Sequence, residues 1–138
     1  MDADSNREEL YKDTTEKIIS AFYKVYNTLG FGFLEKVYEN ALKIELSNRG
    51  FSVQTQFPIS VYYDERRVGD YFADLIINNK IIVELKASEI LSKEHECQLI
   101  NYLKATEFEV GLLLNFGKKP EIKRKIYTNN LKKNLRTN

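Results

Sequence analysis

Three charged residues, Asp74, Glu84 and Lys86, interrupt two otherwise apolar segments near the middle of the chain. Ionised side chains are costly in buried strands unless they pair with one another or bind a metal ion. Carboxylates are hard oxygen ligands that suit Mg²⁺ or Mn²⁺, and a lysine beside them could orient or deprotonate an attacking water. The three residues therefore indicate either a metal site for phosphodiester hydrolysis or a cluster of cross-strand salt bridges.

The spacing of these residues sets a condition on the hairpin that carries them. Glu84 and Lys86 are two residues apart, so a regular strand directs both side chains to one face, about 6.6 Å apart. A two-residue loop at Asn78–Asn79 would turn Asp74 away from Glu84. A three-residue loop that includes Lys80, or a bulge in either strand, would pair the two acids. We therefore predict an odd-numbered loop or a bulge in this hairpin.

The elements that must position these residues follow from the hydrophobic pattern. Apolar residues recur at three- and four-residue spacing in segments that predict helices over residues 7–29, 33–48 and 92–106. Segments rich in β-branched and aromatic residues, or continuously apolar, predict strands over residues 51–63, 68–77, 80–87 and 110–116. A last helix is expected over residues 121–134. The order is α-α-β-β-β-α-β with that final helix added.

This order describes one α/β domain over residues 1–138, with residues 1–6 and 129–138 expected to fray. The strands around Asp74 and Glu84 are apolar on both faces, which predicts a sheet covered on both sides. Within the helix that follows them, Ser92 has the side chain of an N-cap.

Composition excludes several classes of protein and leaves nucleic acid binding open. The chain has 138 residues, 43% hydrophobic and 30% charged, and no apolar run approaches the roughly 20 residues that span a bilayer. Cys97 is the only cysteine, so an internal disulfide or a cysteine-rich zinc site is excluded, and we expect a core thiol. The acidic start is unlike a secretory signal, so a cytoplasmic protein is expected. Residues 117–138 carry eight basic side chains and one acidic one, either a phosphate-facing surface or a solvated tail.

Two further motifs accompany the charged trio. Gln98 and Tyr102 lie one turn apart on the helix after the Glu-x-Lys strand, and Gly32, Glu35 and Tyr38 open the second helix. With these residues the chain resembles the PD-(D/E)xK, or restriction-endonuclease-like, superfamily, and more narrowly its GxxExxY family. The resemblance runs from about residue 15 to residue 127, with Ala in place of the proline in the superfamily's name.

The resemblance implies a restriction-endonuclease-like α-β-β-β-α-β core, with an extra N-terminal helix and a mixed central sheet flanked by helices. It also implies that Asp74, Glu84 and the backbone carbonyl of Leu85 bind the metal, Mg²⁺ with Mn²⁺ as a substitute. Lys86 would be catalytic, and Glu35 would complete the site or bind a second ion. The Gln98-x-x-x-Tyr102 match resembles a variant in which Gln and Tyr steady the site and the substrate.

Further contacts with substrate are expected from Tyr102, Tyr38 and Lys93. The alternative for the two tyrosines is core packing, because aromatic residues at helical spacing are usually buried, and Lys93 could be merely solvated.

The leading hypothesis is a Mg²⁺-dependent nuclease that hydrolyses DNA phosphodiester bonds, with a homodimer expected by analogy. One alternative is an accessory subunit that keeps the fold and binds nucleic acid without cutting it. Another is a structural domain in which the charged trio is a remnant ion-pair cluster.

Overall fold

The computed structural model describes the backbone of residues 3–133 and the side chains of residues 11–133. Its helices are α1 (Ala3–Leu29), α2 (Glu35–Asn48) and α3 (Lys93–Lys104), with a short 3-10 helix at Asn129–Leu131. Its strands are β1 (Val53–Tyr63), β2 (Arg66–Ile77), β3 (Ile81–Lys86), β4 (Val110–Phe116) and β5 (Pro120–Ile126). Fraying was predicted for residues 1–6 and 129–138. Of these, residues 1–2 and 134–138 lie outside the described residues.

The strands form one sheet in the order β1-β2-β3-β4-β5. β3 and β4 run parallel and α3 connects them, as a parallel pair requires a crossover, while the other neighbours are antiparallel. Pro58 lies on the edge strand β1, where a missing N–H costs least. The predicted fold is confirmed: α2, β1–β3, α3 and β4 form the restriction-endonuclease-like core, and α1 is the extra N-terminal helix.

The prediction of a helix over residues 121–134 is wrong, because β5 occupies the first six of these residues. Ile122 and Ile126 are four residues apart, a spacing that places two side chains on one face of either a helix or a strand. β5 follows β4 after a tight turn and pairs with its full length, from Phe116 opposite Pro120 to Val110 opposite Ile126. This pairing satisfies the backbone of β4 on its second side, which a helix would leave unpaired.

Two apolar clusters cover the two faces of the sheet. One packs α1 and α2 against alternate residues of β2, β3 and β4, and includes Phe22, Tyr38 and Phe116. The other packs α3 against the residues in between, and includes Ile76, Ile82 and Leu99. Both faces of the central strands are therefore buried, as the continuous apolar runs predicted.

α3 approaches the sheet closely over Gly111 in β4. A Cβ atom on Gly111 would lie 2.6 Å from Cδ1 of Leu99, so any larger residue would displace the Leu99 side chain. The helix begins at the predicted N-cap, where Ser92 Oγ accepts a hydrogen bond from the backbone N–H of His95. Cys97 on this helix is exposed, so the expectation of a core thiol was wrong. No helix among residues 3–133 is long and apolar enough to cross a membrane.

Candidate metal and active site

The hairpin between β2 and β3 has the odd-numbered loop that the spacing predicted. Ile77 pairs with Ile81, so the loop consists of three residues, Asn78 to Lys80. Asn78 and Asn79 adopt φ values of 52° and 55°, a left-handed conformation that asparagine tolerates better than most residues. The same register, continued away from the loop, places Asp74 opposite Glu84.

At Asp74 and Glu84, hydrogen bonds to the carboxylates link the two strands. The backbone N–H of Asp74 donates to Oε2 of Glu84 at 2.7 Å, and the N–H of Leu85 donates to Oδ2 of Asp74 at 2.8 Å. The regular β2–β3 ladder extends from the loop as far as Leu75 opposite Val83. Each acid is thus fixed by the backbone of the neighbouring strand, and the two carboxylates converge on the α3 side of the sheet.

Burial and charge repulsion together hold a proton on this pair. Glu84 is only 4% exposed, and its pKa is raised to about 9, first by burial and then by the nearby charge of Asp74, with Lys86 opposing the shift. Two carboxylates this close cannot both ionise easily without a cation. A divalent ion that displaces the proton would relieve the repulsion.

Lys86 lies beside the pair without forming a salt bridge to it. Its side chain is half-buried and close enough to Glu84 to affect the pKa of that residue. Among the described residues, no carboxylate lies within 4.0 Å of the Lys86 ammonium. The cluster of cross-strand salt bridges that was the structural alternative is therefore not formed.

Gln98 and Tyr102 reach the same place from α3. The pKa of the Tyr102 hydroxyl is raised to about 12, first by burial and then by the charges of Glu84 and Asp74, while a hydrogen bond from Gln98 opposes the shift. Tyr102 therefore lies within electrostatic range of the two acids, and Gln98 contacts Tyr102. Their positions one turn apart on α3 are those that the sequence predicted, and their role in the site remains a prediction.

The residues present suit a hard divalent cation. The backbone hydrogen bonds use Oε2 of Glu84 and Oδ2 of Asp74, so the second oxygen of each acid is the one that could face an ion once the shared proton is displaced. The described residues contain no group of three or more acidic, histidine or cysteine side chains placed to hold an ion. Mg²⁺ is bound in proteins by as few as one or two carboxylates while keeping several waters, so the pair fits it better than Zn²⁺.

A family model described as the PD-(D/E)XK nuclease superfamily matches residues 12–125 of this chain. The chain belongs to this superfamily. PD-(D/E)XK proteins are generally nucleases and usually use divalent metal ions. No curated protein matches the sequence.

A solved structure of similar fold supports the architecture. The crystal structure of SSO0001 aligns with a TM-score of 0.55 and 18% identity, over 88% of this chain. The chain covers 62% of the length of that protein, and at this identity the likeness concerns the fold alone.

Glu35, the helix acid that was predicted to complete the site of this PD-(D/E)XK chain, does not join Asp74 and Glu84 in the structure. Glu35 is the first residue of α2 and is exposed. The buried acid of α2 is Glu39, 4% exposed, which accepts hydrogen bonds from Lys36 Nζ at 2.6 Å and Gln56 Nε2 at 2.7 Å. A role for Glu35 in the site remains a prediction.

Two residues predicted to touch substrate are placed differently. Tyr38 is fully buried, stacks on Phe116 at 4.1 Å, and its hydroxyl donates to the carbonyl of Gly30 and accepts from the N–H of Phe33. The prediction that Tyr38 contacts substrate is therefore wrong. Its hydroxyl instead holds the turn before α2. Lys93 is exposed at the first turn of α3, which leaves its predicted contact open.

Gln56 was not found from the sequence. Gln56 lies opposite Asp74, where the β1–β2 pairing is interrupted, and its backbone has a left-handed φ of 51°. Phe57 and Ala73 pack on the α3 side, whereas Leu75 packs on the opposite side, so both strands change faces at this step. The β1–β2 ladder is therefore irregular at Gln56 and Asp74, the position at which Asp74 lies beside Glu84. No feature of a single glutamine in a strand pattern predicts such a conformation.

Asn115 is a second residue that sequence reasoning missed. It is completely buried in β4, its Oδ1 accepts from the N–H of Ser88, and its Nδ2 donates to the carbonyl of Ser88. These two bonds fix the chain just after β3 and hence support the position of Lys86. A polar side chain inside the apolar run 110–116 was the available signal.

Proposed function

We propose that this protein is a Mg²⁺-dependent nuclease that hydrolyses phosphodiester bonds in DNA, with Mn²⁺ able to substitute. The observation that carries the proposal is the crossed pair of hydrogen bonds that brings Asp74 and Glu84 together beside the ammonium of Lys86, which forms no salt bridge with a described residue. In a structural ion-pair cluster that ammonium would form a salt bridge, and it forms none with the carboxylates that the structure describes.

The assignment of roles follows from the chemistry of the groups. Asp74, Glu84 and the carbonyl of Leu85 would hold the ion. When bound, the ion would lower the pKa of a coordinated water and neutralise charge on the phosphate. Lys86 would orient or deprotonate the attacking water, or stabilise the developing charge as a point cation. Gln98 would hold Tyr102, and Tyr102 would contact the substrate at the edge of the site.

The narrower GxxExxY assignment is part of the proposal and rests on Gly32, Glu35 and Tyr38. In this structure Tyr38 explains one part of that motif, since its hydroxyl ties Gly30 to Phe33 ahead of α2. Glu35 is available at the exposed start of the same helix for a contact that forms with ion or substrate.

A cleavage assay with matched variants tests the proposal. Single-stranded, duplex and branched DNA, and RNA of the same sequence, are incubated with protein in Mg²⁺, Mn²⁺ or EDTA. Asp74→Asn and Lys86→Met should each lower the cleavage rate at least about a hundredfold. Asp70→Asn, an exposed aspartate on the same strand, should cleave like the wild type.

Three outcomes decide between the hypotheses. Cleavage of DNA in metal that is lost in Asp74→Asn supports the nuclease. Cleavage that survives in both site variants would exclude this site as its origin. Tight binding of nucleic acid with no cleavage under any condition would favour the accessory subunit. Light scattering of the same preparation tests the expected homodimer.

A further inference from the structure

A groove of about 600 Å³ lies next to the candidate site, between α3 and the β1–β2 hairpin. It shares two residues with that site, since Gln98 and Tyr102 form part of its wall. Its volume lies within the range of small-molecule pockets, large enough for one nucleotide. Whatever occupies this groove would therefore contact the same residues that steady the acid pair.

Tyr71 forms an aromatic wall of the groove. Its side chain is 47% exposed, and its ring lies 5.6 Å from that of Tyr102 at an angle of 47°. Tyr71 stands three residues before Asp74 on β2, roughly 10 Å along the strand. An exposed aromatic face thus lies at a short distance from the carboxylates. Aromatic faces of this kind bind nucleobases by stacking, largely without regard to sequence.

The charge of the groove argues against the phosphate backbone as its occupant. The charged residues in its wall are Glu94 and Lys104, one of each sign. Lys104 Nζ also lies 5.4 Å from the ring centre of Tyr127, which engages this cation elsewhere. Strands held by their phosphates require clusters of basic residues. A neutral groove with an aromatic wall, an amide at Asn101 and a hydroxyl at Ser60 instead suits the flat face and polar edge of a base.

We infer that this groove binds an unpaired nucleobase stacked on Tyr71, and that the substrate class is a single-stranded or locally unpaired strand. The inference rests on the proposed function for the identity of the substrate. A base inside a duplex is stacked between its neighbours and cannot enter a groove without being extruded. The groove therefore discriminates against uninterrupted duplex.

The test measures binding of a labelled single strand and of a duplex of the same length. Every protein carries Asp74→Asn so that no strand is cut during the measurement. Tyr71→Ala should weaken single-strand binding about tenfold or more and leave duplex binding within about twofold. Tyr71→Phe keeps the ring and should bind like the parent. Phe72→Ala is the matched control, because Phe72 is the next residue, is 56% exposed, and lies outside the groove.

A second readout reports stacking itself. A fluorescent adenine analogue in the single strand should be quenched by the parent and by Tyr71→Phe, and should remain bright with Tyr71→Ala. Thermal unfolding of each variant shows whether it is folded, and rescue by Tyr71→Phe separates loss of the ring from loss of structure.

The inference and the proposed function fail in different ways. If the wild type cuts DNA but Tyr71→Ala binds both substrates as tightly as its parent, the inference is overturned and the nuclease stands. If no cleavage occurs but single-strand binding depends on Tyr71, the nuclease is overturned and the base site stands. Equal weakening by Phe72→Ala and Tyr71→Ala would also overturn the inference, since a specific stacking face would then be absent.

Discussion

Replacing Glu84 with Gln should remove a large pH dependence from the free energy of unfolding. Burial first, and Asp74 second, raise the pKa of the Glu84 carboxyl from 4.5 to about 9 in the folded protein. Between these values the folded state keeps a proton that the unfolded state has released. This contribution to stability is therefore present below about pH 4.5 and is lost as the pH rises towards 9. Glutamine has no such proton to lose.

The magnitude follows from proton linkage. One proton is worth about 1.4 kcal/mol per pH unit, so the wild type should lose about 2.7 kcal/mol relative to Glu84→Gln between about pH 6 and pH 8. The amide has the same shape as the carboxyl, and its oxygen can still accept the N–H of Asp74. The difference between the two proteins therefore isolates ionisation from packing.

Urea denaturation of both proteins in EDTA across this pH range measures the difference. Glu96→Gln is the control, since the salt bridge from Lys125 at 2.7 Å lowers the pKa of Glu96, and its carboxylate is charged in both states throughout this range. Its stability should run parallel to that of the wild type. Parallel curves for Glu84→Gln as well would refute the reasoning, because Glu84 would then ionise freely in the folded protein.

Metal ions should restore the stability that the wild type loses at high pH, and should do so in the wild type but not in Glu84→Gln. Near pH 8, Mg²⁺ at about a hundred times its dissociation constant should stabilise the wild type by about 2.7 kcal/mol, and Glu84→Gln much less. Because binding releases the proton of the pair, the affinity for Mg²⁺ should rise with pH up to about 9. Equal stabilisation of both proteins would place the ion elsewhere.

Three further predictions concern the supports of the site. Tyr38→Phe should destabilise the fold by about 1–3 kcal/mol, because two backbone groups lose their partner, while the cleavage rate of the folded protein stays unchanged. Gly117→Ala should destabilise by about 2 kcal/mol or more in thermal unfolding, because its Cβ would collide with the carbonyl of Ser88; wild-type stability would contradict the tight packing. Gln56→Ala and Gln56→Gly both remove the bond to Glu39, but glycine tolerates the left-handed backbone, so Gln56→Gly should be more stable by about 1 kcal/mol in urea denaturation, and the reverse order would exclude backbone strain.

The sequence alone predicted four of the five strands, the core helices and the convergence of the two acids on one face of the sheet. These features depend on short-range periodicity: side chains two apart in a strand share a face, and helical side chains recur every three or four residues. The three-residue loop followed from the same rule once Asp74 and Glu84 were required to converge, and β2 and β3 have that register. The placement of Gln98 and Tyr102 on one helical turn needed no more than their spacing.

Tertiary contacts decided what periodicity could not. The spacing of Ile122 and Ile126 fits helix and strand equally, and pairing with β4 selected the strand. Tyr38 is buried and holds the turn before α2 because its hydroxyl donates to the carbonyl of Gly30. Cys97 is exposed because α3 packs a different face against the sheet.

The electrostatics of the site also came from long-range contacts. The raised pKa of Glu84 reflects burial beneath α3 and the charge of Asp74, ten residues away in sequence. Gln56 and Asn115 support the site through partners 17 and 27 residues distant. Burial, desolvation and the direction of a polar side chain are properties of the packed chain, so local sequence specifies which groups are present and the fold determines what surrounds them.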